Sequence, residues 1–293
     1  MNTQAEHVKI GSIEVGRGMP CVVVAEIGIN HNGDVGIAKQ LIDVAVSAGC
    51  SAVKFQKRTV DVVYTADELT RVRESPFGNT NGDLKRALEF DETAYREIAR
   101  YCNERGILWF ASCWDEASVD FLEAFDPPCY KIASASLTDD SLLAYTRAQG
   151  KPIILATGMS TLEQVDHAVG ILGTERLIIL HACSTYPAHY DELNLRVIDQ
   201  FAARYPVPIG YSGHETGIPS SVAAVVMGAC MVERHLTLDR SMWGSDQAAS
   251  LEPNGMHRLV RDIRLVETAM GDGVKRVLDR ELPIMEKLRR VGR

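Results

Sequence analysis

Short apolar runs alternate with longer amphipathic stretches along nearly the whole chain. The runs are Val22–Ile27, Ala52–Gln56, Ile107–Ser112, Tyr130–Ser134, Ile153–Thr157, Leu177–His181, Pro208–Ser212 and Met231–His235. Each is too short for a helix and almost continuously apolar, as a strand buried on both faces must be. Segments with helical periodicity fall between them: Gly36–Ser47, Glu92–Arg105, Glu116–Ala124, Leu162–Leu172, Leu195–Arg204, Pro219–Met227 and Met256–Met270. Strand and helix in strict alternation imply βαβ units, and eight units over about 250 residues predict a closed (β/α)8 TIM barrel. An open doubly wound sheet would need a glycine-rich fingerprint after its first strand, where Glu26-Ile27-Gly28-Ile29-Asn30 stands instead.

The whole chain, 1–293, therefore reads as a single barrel domain with two additions. Residues 1–20 hold a short N-terminal hairpin around His7–Glu14, and 274–293 end in a helix, Pro283–Arg290. One long insertion, Arg58–Leu88, is rich in Thr, Asn, Gly and Pro, and connections of this length are usually lids or binding loops.

Composition narrows the setting. Hydrophobic residues make up 46% and charged residues 24%, enough for a sizeable core. No apolar run approaches the roughly 20 residues of a membrane span, and Met1–Gly11 lacks the pattern of a secretory signal, so a cytoplasmic enzyme is expected. A net charge of −8 argues against nucleic acid or a membrane surface as partner, though not against a phosphorylated substrate met by a few inward Lys or Arg. The seven cysteines include no CxxC pair and are odd in number, which suits buried thiols better than disulfides.

The polar residues gather where barrel enzymes do their chemistry. Strand after strand ends in them: Glu26; Lys54 and Gln56; Ser112; Lys131 and Ser134; Thr157; His181 with Ser184 and Tyr186; Ser212 and His214; Glu233, Arg234 and His235. Those ends form the rim that binds substrate. His214 and His235 end consecutive strands, so two imidazoles would stand side by side and suit a divalent metal, or each could be separately hydrogen-bonded. Lys54 and Lys131 could clamp a phosphate or carboxylate, or pair structurally with Glu26 or Glu233. A desolvated Lys131 could also form a Schiff base with a carbonyl substrate.

Several stretches resemble bacterial sialic acid synthases. They are Ala25-Glu26-Ile27-Gly28-Ile29-Asn30-His31-Asn32-Gly33, Ala52-Val53-Lys54-Phe55-Gln56, Tyr130-Lys131-Ile132-Ala133-Ser134, Lys151 to Ser160, Gly210-Tyr211-Ser212-Gly213-His214 and Glu233-Arg234-His235. The resemblance implies a barrel that joins phosphoenolpyruvate to an open-chain aldose, an N-acetylmannosamine-like hexose or its phosphate, giving a 2-keto-3-deoxy sugar acid. It implies that Lys54, Lys131, Ser134, Ser184 and Ser212 hold phosphoenolpyruvate. By the same resemblance His214 and His235 bind Mn2+ or Mg2+, and Gln56, Asn79, Tyr186 and Asp246 contact the sugar. Glu26 would sit beside the metal and the reacting carbons. A homodimer or higher homo-oligomer is expected. The chain stops at Arg293, where the family usually continues into an antifreeze-like domain, and Ser136 and Gln247-Ala248 depart from the family on the sugar side. The last two features lead us to expect weaker dependence on an N-acetyl group. Related synthases making a deaminated nonulosonate or shorter ulosonate, and a non-catalytic barrel subunit needing a partner, are the other readings.

Overall fold

Barrel closure follows from eight strands that pair in sequence order. The computed structural model describes residues 7–291; the outermost residues of the two expected terminal segments, 1–6 and 292–293, lie outside it. The strands are β1 (Val22–Gly28), β2 (Ala52–Lys57), β3 (Leu108–Cys113), β4 (Tyr130–Ile132), β5 (Ile153–Ala156), β6 (Leu177–Ala182), β7 (Ile209–Gly213) and β8 (Met231–His235). All neighbours are parallel, and β8 pairs with β1 to close the ring. Helices α1 (Val35–Ala48), α2 (Glu92–Arg105), α3 (Glu116–Glu123), α4 (Asp140–Ala148), α5 (Leu162–Leu172), α6 (Val197–Arg204), α7 (Pro219–Val226) and α8 (Pro253–Met270) follow the strands in turn.

The period-2 alternation of each strand sorts its side chains into two cores. Outward residues such as Val23, Ala25, Val53 and Phe55 pack against Leu41, Ile42 and Ile98 of the helices. Inward residues Val22, Val24, Phe110, Ile154, Leu180 and Met231 form a second cluster, joined by Val8, Ile10 and Val15. Those last three come from the predicted hairpin, Val8–Ile10 paired with Ile13–Val15, which plugs the N-terminal end of the barrel. Hydrocarbon fills the lower lumen. The next inward positions up β1, β2, β4 and β8 are Glu26, Lys54, Lys131 and Glu233, so the charges stand on an apolar floor.

One expectation is revised and two features are added. Strand β4 ends at Ile132, and Ser134–Ser136 form a tight 3-10 turn that aims Ser134 at the N–H of Gly158. Helix α4 has no counterpart among the segments picked out by periodicity; its nine residues bury Leu142, Leu143 and Thr146. The insertion is folded, with a hairpin (Val72–Ser75 and Gly78–Thr80) leading into the helix Asn81–Ala87. Arg58 Nε donates to Glu89 at 2.7 Å and Thr59 Oγ1 to Asp115 at 2.9 Å at its base, and Phe77 at its tip meets Trp243 edge-on at 5.8 Å. The expected terminal helix spans Leu282–Leu288. Among the described residues no helix is long and apolar enough to cross a membrane.

All seven cysteines are free, and Cys21, Cys102, Cys113, Cys129 and Cys230 are buried. Burial pushes the thiols of Cys102 and Cys230 up, to about 12 and about 11, where the reactive thiolate is scarce at neutral pH. A thiol reagent should therefore modify part-exposed Cys183 first and the five buried residues only on unfolding, and reductant should leave the melting temperature unchanged. A reductant-dependent melt would contradict the assignment of free thiols.

Candidate active site

The charged layer is organised around one carboxylate. Lys54 Nζ lies 3.0 Å from Glu26 Oε2 and 3.6 Å from Glu233 Oε1, and Lys131 Nζ lies 3.3 Å from that same Glu233 oxygen. Lys54 also donates to Ser112 Oγ at 2.9 Å, and Ser212 donates to Glu233 at 3.3 Å. All four charged side chains are at most 5% exposed. Removing one partner from an isolated buried pair costs about 3–5 kcal/mol, because the other is left buried and charged; here Glu233 is shared by both lysines, so loss of Lys131 still leaves it paired with Lys54.

Two lysines and two glutamates balance formally, but not evenly. Burial raises the Glu26 carboxyl to about 7, against the pull of Lys54 and with Glu233 adding repulsion. Burial acts on Glu233 in the same direction, yet Lys131 and Lys54 overcome it and hold Glu233 below the usual carboxylate range. Burial lowers Lys131, with Glu233 opposing; Lys54 is desolvated too, but Glu233 and Glu26 outweigh this and raise it. Glu233 thus carries the firm negative charge, and Glu26 is the proton-exchanging member.

A cavity of about 190 Å³ opens above this layer. It is lined by Glu26, Lys54, Gln56, Lys131, Ser134, Ser184, Tyr186, Ser212, His214 and His235, ten of the residues expected from sequence. Gln56 donates to Glu26 at 2.8 Å. Ser134 and Ser184 converge over Gly158, where a Cβ would come within 2.9 Å and 2.1 Å of their hydroxyls and push them out of this arrangement. Ser184 Oγ is buried without a hydrogen-bond partner, a group left for a ligand.

The two expected rim histidines stand together, ring centroids 5.5 Å apart. His214 Nδ1 donates to the Cys183 carbonyl at 2.5 Å, which leaves Nε2 as an acceptor facing Tyr186 Oη at 3.1 Å. His235 Nδ1 is buried without a hydrogen-bond partner. Burial lowers both pKa values, His214 to about 4 with His235 adding to the effect, while Asp246 opposes the fall at His235. Both rings are neutral at physiological pH, the form that ligates metals. Among the described residues no third His, Cys, Asp or Glu completes a protein cage, so a cation here would take its remaining ligands from water or substrate.

Two expected contacts fall outside the lining. Asp246 stands at the edge, its Oδ2 3.9 Å from His235 Nδ1. Asn79 is exposed on the insertion hairpin, close to where Phe77 meets Trp243. Gln247 is a brace: fully buried, it accepts from Thr237 and reaches the Asn30 carbonyl at 3.5 Å, so it gives no support to an altered sugar contact. Ser112, Trp114 and Glu233 line the cavity but were not singled out as substrate contacts. Glu233 carried a usable signal, because it sits two residues before His235 and so shares its inward face.

Such a barrel, with a buried lysine pair and neutral imidazoles at its C-terminal rim, is an enzyme active site built for an anionic substrate. Residues 41–275 match the NeuB family, and the chain belongs to that family of phosphoenolpyruvate-dependent sugar-acid synthases. It is 41% identical to human N-acetylneuraminate-9-phosphate synthase over 94% of this chain and 78% of that one. It is 36% identical to N,N'-diacetyllegionaminic acid synthase of Legionella pneumophila over 94% and 80% of the two chains. The crystal structure of N-acetylneuraminic acid synthetase from Leptospira borgpetersenii superposes with a TM-score of 0.85 at 28% identity, covering 99% of this chain and 100% of that one.

The Glu26 shift has a testable sign. An unfolded glutamate ionises near 4.5, whereas folded Glu26 resists until about 7. The folded state thus holds this proton more tightly, so the group's contribution to stability falls as pH rises from about 4.5 to 7 and is constant above. Glu26→Gln cannot ionise. Its stability relative to wild type, from urea unfolding, should rise across that window; a flat difference would show Glu26 ionised throughout.

Proposed function

We propose that this chain condenses phosphoenolpyruvate with an open-chain N-acetylmannosamine-like hexose, free or 6-phosphorylated, to a 2-keto-3-deoxy acid of the sialic acid type. The observation that carries the reading is the pair of buried lysines facing one cavity beside two neutral imidazoles. Lys54 and Lys131 take the phosphate and carboxylate of phosphoenolpyruvate, with Ser134, Ser184 and Ser212 donating to its oxygens. Tyr186, Gln56 and Asp246 face the aldose, and the hairpin bearing Asn79 reaches it on closure.

Carbon-3 of the enol phosphate attacks the aldehyde carbon, forming the new C–C bond and leaving an alkoxide that is protonated to a hydroxyl. Water adds at carbon-2, and phosphate leaves as the ketone forms. Glu26, ionised near neutrality and beside Lys54, accepts the proton of that water. The lysines offset the growing charge of the departing phosphate. His214 Nε2 and His235 Nδ1 would hold Mn2+ or Mg2+, which supplies Lewis-acid stabilisation of the aldehyde oxygen when bound. A Schiff base at Lys131 is disfavoured, because the ammonium is ion-paired to Glu233.

An acceptor screen scored by phosphate release and product mass tests the reaction. N-acetylmannosamine or its 6-phosphate should give one phosphate per sugar acid; turnover with pyruvate in place of phosphoenolpyruvate would overturn it. Chelation should abolish activity and Mn2+ restore it, and His235→Ala should lose about 100-fold or more, a typical effect for electrostatic stabilisation of a transition state. Full turnover in chelator would remove the metal.

A further inference from the structure

Directly behind the two histidines lies a second buried ion pair that touches nothing in the cavity. Arg234 precedes His235 on β8, and its side chain points away from the lumen, where hydrocarbon would be expected. Glu215 follows His214 at the end of β7. Both side chains are 0% exposed, and Arg234 Nη1 donates to Glu215 Oε1 at 3.0 Å.

The pair is tied almost wholly to one short loop. Arg234 also donates to the Glu215 and Gly217 carbonyls, the latter at 2.8 Å, and to Ser221 Oγ at 2.8 Å. Glu215 accepts from Tyr211 at 2.8 Å, Ser220 at 2.5 Å and Ser221 at 3.3 Å. The chain from His214 to the first turn of α7 is thus wrapped around a single guanidinium carried by the neighbouring strand. Approach this close requires Gly213, the register partner of Arg234, because a Cβ there would lie 2.9 Å from Arg234 Cδ. A lysine could not do the same, since it lacks the planar fork of donors.

We infer that Arg234 and Glu215 are positioning residues that set the separation and tilt of the His214 and His235 rings. The loop that starts at His214 cannot shift relative to β8 without breaking bonds to a buried charge. This rests on the reading of the two histidines as metal ligands, and partners behind such ligands typically change metal affinity by about 10–100-fold when replaced.

The test uses metal-stripped full-length protein and Mn2+ alone, with free Mn2+ read by electron paramagnetic resonance. Arg234→Lys and Glu215→Gln should fold, by circular dichroism, and bind Mn2+ about 10–100-fold more weakly than wild type. Tyr211→Phe, which removes one hydrogen bond and no charge, should weaken binding severalfold and serves if the charge variants do not fold. Folded variants with Mn2+ affinity within about twofold of wild type would make the pair structural only and overturn the inference. A metal-free readout separates this from failure of the metal reading: imidazole 15N signals of His214 and His235 should move in the variants while that of buried His31, packed against Phe55 and Phe90, stays. Should wild type bind no Mn2+, the metal reading fails, and unmoved His214 and His235 signals would then overturn the positioning role as well.

Discussion

One carboxylate oxygen, Glu233 Oε1, sits between two buried ammonium groups, and the active site is arranged around that contact. Lys131 at 3.3 Å and Lys54 at 3.6 Å would repel each other across the lumen without it. A third positive charge at this depth would be unaffordable, and so would the absence of both lysines from a site meant for a multiply charged anion. Glu233 resolves the conflict by staying ionised. Glu26 completes the charge balance while remaining close to its own ionisation. The hairpin plug below keeps water out of the lower lumen, which makes each of these interactions stronger than it would be on a surface.

The rim divides its work by height. In the proposed reaction the lowest charged layer meets the enol phosphate, and the imidazoles and Tyr186 stand further out toward the sugar. The strands supply these positions through simple alternation: Glu233 and His235 share an inward face while Arg234 turns out between them. Outward charge is costly there, and the chain recovers it by folding the β7–α7 loop around Arg234. The same strand therefore builds both the site and the support behind it.

Much of this was legible in the sequence because barrel geometry converts strand position into height and direction. Lys54, Lys131, Ser212, His214 and His235 needed only the strand register to be placed. The hairpin was legible as alternation, although its role as a plug depends on tertiary packing. Glu233 was readable as an inward neighbour of His235 and a partner for one lysine, but its hold on both amines depends on the closure that brings β2 and β4 to face β8. Asn79 and Gln247 lie outside the barrel strands, where tertiary contacts rather than barrel register decide direction. For Gln247 the deciding contact was Thr237. Helix α4 is short and has adjacent leucines at 142 and 143, which blur a 3.6-residue period.

The central claim is that the buried charges form a receiving site for phosphoenolpyruvate and are not merely a structural ion-pair network. Melting temperatures of wild type and Lys131→Met, each with and without phosphoenolpyruvate, test it most directly. Loss of Lys131 leaves Glu233 paired with Lys54, and Glu26 can stay protonated to rebalance the charge, so the free variant should melt close to wild type. Ligand at about 100 times its Kd contributes about 2.7 kcal/mol, and that stabilisation should appear in wild type and vanish in Lys131→Met. A variant that is strongly destabilised when free, yet gains as much from phosphoenolpyruvate as wild type does, would contradict the account.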